Sequence, residues 1–318
     1  MTRVREGAVR GLVFAVALWG IAQPAGAEDP VPELVLTRVD EAVYSAIGAP
    51  AAPSLENRGH NNNLSFIITA DGVVVINGGD NALLAEGLHR QIRRLTEQPV
   101  RYLINENGQG HAFLGNAYWA RQGVTILAHR DAVAAIREHG AGSLARMRAR
   151  MGDLAAGTEV LLPDVAVDDF YALELGGERI ELRHFGDAHS PGDLSVWLPG
   201  RGILIAGDIA FHERLLGIFP DSDVEAWIES FDRLVQLQPN VVIPGHGGPT
   251  DVETVRRYTQ GYLQFLSGEV AAILEDDGDL TDAYAIDQSA YAHLHTFEEM
   301  AQKNAGRLYR QMEEKLFE

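Results

Sequence analysis

Between Val100 and Arg121 the chain passes from a β-branched and aromatic run, Val100 to Ile104, into a polar loop and then into helix-compatible residues from Ala117. The loop reads Asn105-Glu106-Asn107-Gly108-Gln109-Gly110-His111-Ala112-Phe113-Leu114-Gly115-Asn116. Strand, glycine-bearing loop, helix is how a strand end presents side chains to a cleft. Three later segments have the same character: His189 in Asp187-Ala188-His189-Ser190-Pro191-Gly192-Asp193, Asp208 in Leu204-Ile205-Ala206-Gly207-Asp208, and His246 in Val242-Ile243-Pro244-Gly245-His246-Gly247. Each sets one metal ligand or acid/base group beside glycine, at the end of an apolar run or in the turn leading to one. The four are read as one site.

Composition limits what that site can be. The 318 residues suffice for one large core or two ordinary ones, and a 46% hydrophobic, 22% charged balance is that of a globular protein. The chain has no cysteine, which excludes disulfides, thiolate ligands and a cysteine nucleophile, so any metal must sit on nitrogen and oxygen. Residues 1–27 read as a secretory signal. Arg3, Arg5 and Arg10 give a basic start, Gly11 to Ala22 an apolar stretch, and Ala25-Gly26-Ala27 a small-residue cleavage site. The other reading is an uncleaved anchor, but about a dozen apolar residues are short for a bilayer span. The expectation is a periplasmic or secreted protein with no stable membrane insertion after cleavage. Without three arginines and one glutamate, 23 basic residues face 44 acidic ones, a net charge of −21. Such a surface repels phosphate backbones and anionic lipid, which argues against nucleic acid or a membrane surface as partner; it suits a basic partner protein or simple solubility.

Residues 28–59, with four prolines, read as an N-terminal arm carrying one or two edge strands. Strands are expected at Leu64 to Thr69 and Val73 to Ile76 around an Ala70-Asp71-Gly72 turn, then an amphipathic helix over Asn81 to Glu97. Val100 to Ile104 and Val124 to Ala128 are further strands, and Asp131 to Glu138 and Ser143 to Met151 two helices. From Val165 the pattern returns to strands through Ala206, followed by a helix over Asp223 to Leu237, a short strand at Val241 to Ile243, a long helix over Thr250 to Leu274 and another over Phe297 to Phe317. No segment recurs at a fixed period. Two halves that each supply strand-end ligands imply an α/β chain folded as a four-layer αββα sandwich over residues 60–250, with residues 251–318 as a C-terminal helical extension packed on the same domain.

The order of these motifs resembles the metallo-β-lactamase superfamily. The resemblance rests on Gly72 to Gly79, Asn105 to Asn116, the His189-Ser190-Pro191-Gly192 turn, and Gly207-Asp208 followed by Pro244-Gly245-His246-Gly247. With the leader, Phe211-His212-Glu213-Arg214 and the closing helix, the chain is similar to an exported zinc-hydrolase branch associated with periplasmic quinoprotein oxidation systems. The family's loop reads Asn-Thr-His-x-His-x-Asp-His-x-x-Gly-Asn. Registered on Asn105 and Gly115-Asn116, this chain has Asn107 and Gln109 in place of the first two histidines, His111 in place of the aspartate and Ala112 in place of the last histidine. The aspartate usual after the early strand is Asn77.

The resemblance therefore implies a degenerate main metal loop. Amides are poor zinc ligands beside imidazole and carboxylate, so the first of the family's two sites should be empty or weak. The second is expected to survive in altered form, as one zinc ion on His111, Asp208 and His246 with His189 nearby and a water in the open position; iron or manganese would fit the same donors. Asp208 is alternatively a general base. Asn107, Gln109 and His212 are expected to contact substrate. Plainer readings stand beside these. His111 could cap the loop, Asp208 could cap the residues after it, and His212 could be merely exposed. His184, in an expected strand, reads as a core or surface residue. The implied function is an exported hydrolase that uses one metal-bound water on a small-molecule ester, thioester, lactone or amide. The alternative is a catalytically silent member of the family that binds a small molecule or a periplasmic oxidoreductase.

Overall fold

Alternation with a period of two decides which core each strand residue enters. In Val73 to Ile76, Val74 and Ile76 join one buried cluster while Val73 and Val75 join another; in Ile203 to Ala206, Ile203 and Ile205 enter the first of those clusters and Leu204 and Ala206 a third. Strands buried on both faces need a layer on each side. The computed structural model describes residues 29–316, and the expected secretory signal over residues 1–27 lies outside the described residues.

A seven-stranded sheet runs β1 (Leu36–Arg38), β2 (Val43–Ala46), β3 (Leu64–Thr69), β4 (Gly72–Ile76), β5 (Val100–Asn105), β6 (Thr125–His129) and β7 (Val165–Val167), in that spatial order. The pairs from β1 to β4 are antiparallel, with Ala70-Asp71 closing the tight β3–β4 hairpin; those from β4 to β7 are parallel. Parallel pairs need crossovers. They are α1 (Ala82–Leu95), α2 (Gly110–Phe113) with α3 (Asn116–Arg121), and α4 (Arg130–Met151). Asn81 caps α1 by accepting the Leu84 N–H.

The second sheet holds β8 (Phe170–Leu175), β9 (Glu178–His184), β10 (Leu194–Leu198), β11 (Ile203–Phe211) and β12 (Val241–His246), in the spatial order β12-β11-β10-β9-β8 with β12 parallel to β11. Its outer helices are α5 (Val224–Val235), α6 (Val252–Val255), α7 (Gly261–Glu275), α8 (Leu280–Tyr284) and α9 (Phe297–Leu316). Val74, Ile104 and Leu127 of the first sheet meet Leu182, Val196 and Ile243 of the second in one core. Leu84, Leu88 and Ile92 cover the first sheet's other face with Phe66 and Leu103; Trp227, Phe231, Tyr262 and Leu266 cover the second sheet's. The four layers are therefore α, β, β, α, as expected.

The expected pair of helices at 131–138 and 143–151 is one continuous helix, α4. Gly140 does not break it but lets it approach its neighbours, since a Cβ there would stand 3.1 Å from Val160. The single helix expected over 250–274 is instead α6, a π-helical turn at Arg256–Gln260, and α7. That turn brings Thr259 Oγ1 to the Phe211 N–H at 2.8 Å and to the Phe211 carbonyl at 3.0 Å, satisfying the end of β11. Among the described residues no helix is long and apolar enough to cross a membrane.

Candidate metal centre and its cleft

The carboxyl ends of β4, β5, β11 and β12 meet at the site. Asn105, the last residue of β5, and Asn116, the first of α3, exchange amide hydrogen bonds of 2.9 Å in both directions. Asn105 also donates to the Ala112 carbonyl at 2.7 Å and Asn116 to that of Leu161 at 3.0 Å. The Gly78 N–H donates to the same Ala112 carbonyl, and Trp119 Nε1 donates to the Gly78 carbonyl at 3.1 Å. The loop is thus pinned at both ends, and Glu106 and His111 project from it toward β11.

Asp208 stands within β11, 1% exposed, where the ladder to β12 is irregular on both sides of Gly207. Gly207 has φ +67°, and a Cβ there would fall on the Glu106 carboxyl. Only glycine lets the two acids pack this closely. Asp208 Oδ2 lies 3.4 Å from His111 Nε2 and 3.6 Å from His189 Nε2, and Oδ1 lies 3.4 Å from His246 Nε2. His111 Nε2 is also 3.2 Å from Glu106 Oε1. The structure therefore brings His111, His189, Asp208 and His246 together, and adds Glu106.

These spacings are longer than a charge-assisted hydrogen bond of about 2.7–2.9 Å. They match the edge of a tetrahedron of nitrogen and oxygen ligands around zinc, about 3.3 Å for bonds of about 2.0–2.1 Å. Ligand atoms of Glu106, His111 and Asp208 lie within 4.8 Å of one another. The donor set of imidazole and carboxylate fits zinc, and iron(II) or manganese(II) as well. A second such group, His129, Asp169 and His184, has no member lining the cleft; His184 there stacks on His129 with ring centroids 4.2 Å apart.

Amides orient the two carboxylates. Asn62 Nδ2 donates to Asp208 Oδ1 at 3.0 Å and to Glu106 Oε1 at 3.2 Å, and Asn77 Nδ2 donates to Asn62 Oδ1 at 2.9 Å. Burial pushes the Asp208 carboxyl up to about 8, with Glu106 adding to the rise and the positive charges of His111 and Arg214 opposing it. Burial likewise raises Glu106 to about 8, against hydrogen bonds from Asn77 and Asn62. His189, enclosed by Phe211, Phe219 and Trp227, is lowered by burial to about 3, and His246 falls well below its ordinary range for the same reason. Neutral imidazoles are the form in which histidine binds a metal.

A cleft of about 310 Å³ opens above these atoms, lined by His111, His189 and His246 together with Gln109, Asp80, Arg146, Arg150 and Arg214. Of the three residues expected at substrate, Gln109 lines the cleft. Asn107 is buried instead: its Nδ2 is 3.4 Å from Asp208 Oδ2 and its Oδ1 accepts the Gln109 N–H at 3.0 Å. His212 is also drawn away, because its Nε2 sits 2.6 Å from the Gly248 carbonyl and its ring fills the space beside Gly247. Asp208 lies beneath the three histidines, a position suited to a ligand or an orienting group rather than to a base reaching into the cleft. Sequence reasoning missed Glu106, although it stands inside the quoted loop, because the loop was registered on the family's ligand positions. It also missed the roles of Asn62, Arg146 and Arg150, which depend on partners distant in sequence.

Residues 111–246 match the family model of the metallo-beta-lactamase superfamily. Over 246 residues the chain is 22% identical to a metallo-beta-lactamase type 2 of Bacteroides fragilis, covering 74% of this chain and 87% of that one. It is 24% identical over 109 residues to the human acyl-coenzyme A thioesterase MBLAC2, a match spanning 33% of this chain and 39% of the thioesterase. The structure superposes on a metallo-beta-lactamase from Pontibacter korlensis with a TM-score of 0.59 at 21% identity, covering 73% of this chain and 99% of the other. The facing sheets and the donor groups gathered at their carboxyl ends are those of the metallo-beta-lactamase fold, and over residues 111–246 the chain is similar to the metallo-beta-lactamase superfamily.

Proposed function

We propose that the protein is an exported, metal-dependent hydrolase that cleaves an ester, thioester, lactone or amide in the cleft above Asp208. The observation that carries this reading is the approach of three imidazole Nε2 atoms to one buried carboxylate at 3.4, 3.6 and 3.4 Å, spacings that suit a shared cation better than direct hydrogen bonds. A zinc ion held by His111, Asp208 and His246, with Glu106 and His189 beside it, would supply an activated water and polarise a carbonyl. The chain's own residues do the rest: Asn62 and Asn77 hold the carboxylates in orientation, Asn107 anchors the backbone of Gln109, and Gln109 offers an amide to substrate. The basic, apolar and Ala25-Gly26-Ala27 segments support export to the periplasm or beyond.

A second reading, a silent protein that binds a small molecule or a periplasmic oxidoreductase, has one observation in its favour. Arg214 Nη1 lies 3.4 Å from His246 Nδ1. A guanidinium N–H directed there favours the tautomer with its proton on Nε2, which donates to Asp208 and has no lone pair for a metal. Metal analysis of the purified protein separates the two. About one equivalent of zinc, lost together with hydrolysis of a panel of esters and thioesters in Asp208→Ala and His246→Ala, is the expected result. No bound metal at micromolar zinc would leave the silent reading standing.

A further inference from the structure

The chain crosses from the first sheet to the second through Asp168-Asp169, the two residues between β7 and β8. Beside that crossing lie His129, the last residue of β6, and His184, the last of β9, so imidazoles from both sheets meet at Asp169. One ligand atom from each of the three residues lies within 4.8 Å of the others, and His129 Nε2 is 3.4 Å from Asp169 Oδ1. That contact, like those in the cleft, is longer than a charge-assisted hydrogen bond and close to a tetrahedral ligand edge. Backbone pairing holds two of the three together, since the His184 N–H donates to the Asp169 carbonyl at 2.8 Å. The turn from His189 to Asp193 packs against the third: a Cβ on Gly192 would stand 2.9 Å from His129 Nδ1.

The nitrogens that would not bind an ion face acceptors. His184 Nδ1 sits 3.0 Å from the Asp193 carbonyl, and His129 Nδ1 3.4 Å from Asp131 Oδ2. A proton on each Nδ1 gives both Nε2 atoms a lone pair, the arrangement in which an outer acceptor orients a metal-bound histidine. His129 Nδ1 is also 3.4 Å from the Asp131 backbone nitrogen, so this ring has two tautomers to choose from, and a cation at Nε2 selects the one with the Asp131 carboxylate as acceptor. Burial, with His184 adding to it, lowers the pKa of His129 and keeps the ring neutral at neutral pH. The surrounding charge favours a cation, because Asp131, Asp168 and Asp169 share Arg130 at 4.0, 2.8 and 3.9 Å. The two rings stack with their planes at 21°, and planes so nearly parallel cannot both contain one ion. The partly buried His184 ring therefore tilts out of the stack on binding, while His129, fully buried, stays. We propose that His129, Asp169 and His184 form a site for a divalent transition-metal ion such as zinc, separate from the cleft, that clamps the two sheets where the chain crosses between them. With three protein ligands and the Asp169 side chain 69% exposed, this site is weaker than the one in the cleft and fills when zinc is added rather than during purification.

The test is isothermal titration of chelator-treated, full-length protein with zinc, comparing wild type with Asp169→Asn and His184→Gln, alongside nitrogen-15 NMR of the imidazoles. Wild type is expected to take one equivalent more than either variant, and the Nε2 resonances of His129 and His184 to shift as that equivalent binds. Asp131→Ala should weaken its binding by about tenfold or more, the usual effect of removing an outer acceptor. The exposure of Asp169 lets its variant test ligation without disturbing the core. An extra equivalent that persists in either variant, or that leaves both imidazoles unmoved, would overturn the proposal. The cleft ion is counted separately: it is lost in Asp208→Ala and kept in Asp169→Asn, so each site can fail without the other.

Discussion

Two asparagines and a histidine show how single side chains set the properties of this site. Asn62 donates to both Glu106 and Asp208, so removing it strands two buried carboxylates at once. Outer partners of metal ligands typically contribute 10–100-fold in affinity, and at the proposed zinc site Asn62→Ala is expected to weaken zinc binding by about that factor, measured by competition with a chromophoric chelator. Asn107→Ala should weaken it less, because Asn107 reaches Asp208 at 3.4 Å. His60 offers a pH test clear of the centre. Burial lowers it from 6.5 to about 4, while its Nε2 keeps a 3.2 Å contact to the Ala46 carbonyl. In the unfolded chain the ring protonates near 6.5, so between that pH and about 4 the unfolded state binds more protons and the folded state loses stability as pH falls. His60→Gln removes the effect. Denaturant unfolding at pH 7 and pH 4.5 should show wild type losing on the order of 1–2 kcal/mol relative to the variant on acidification, and no such change between pH 7 and 8. A constant difference across the range would mean that His60 is solvated in the folded protein.

At the level of elements, the loop between β5 and α3 is held by a reciprocal amide pair rather than by hydrophobic contact. Asn116→Ala breaks both 2.9 Å bonds and leaves the buried Asn105 amide and the Leu161 carbonyl short of partners. The expected cost is about 2–4 kcal/mol, visible as a lower unfolding midpoint by circular dichroism, with metal binding lost before the fold is. Much of this level was legible in advance. The alternation in Val73 to Ile76 and Ile203 to Ala206, and the glycine-bearing strand ends at His111, His189, Asp208 and His246, depend only on neighbours in the chain. What was not legible depends on partners far away in sequence. The π-helical turn at Arg256–Gln260 exists because Thr259 must reach Phe211, 48 residues earlier, and Gly140 is a packing glycine only because Val160 lies beside it. Arg146 and Arg150 look like any solvated helix face until the tertiary fold turns them toward the histidines. Glu106 escaped because the family's register gives its position no ligand, and its carboxyl can approach Asp208 only because β11 presents Gly207 beside it.

The whole molecule depends on what its C-terminal helix does to the cleft. Asn304 of α9 is fully buried and satisfies three groups of the core that its own helix packs into: it accepts the Ile218 N–H at 2.8 Å and donates to the Leu216 carbonyl at 2.8 Å and to Tyr262 Oη at 3.0 Å. Gly217, between two of these anchor points, lines the cleft, as does Met300 of the same helix. A helix outside the loop-bearing sheets therefore contributes to the cleft wall, and the segment after β11 is ordered by contacts more than 80 residues away in sequence. Asn304→Ala should leave those backbone groups buried without partners, at a cost of about 2–4 kcal/mol. Hydrogen exchange can localise that cost. If the helix clamps only the second sheet's layer, the Ile218 amide should exchange faster in the variant by about two orders of magnitude, while amides of the first sheet such as Val74 keep their protection. Equal acceleration at both positions would show instead that the two sheet layers open as one cooperative unit, with α9 supporting the first sheet as firmly as the second.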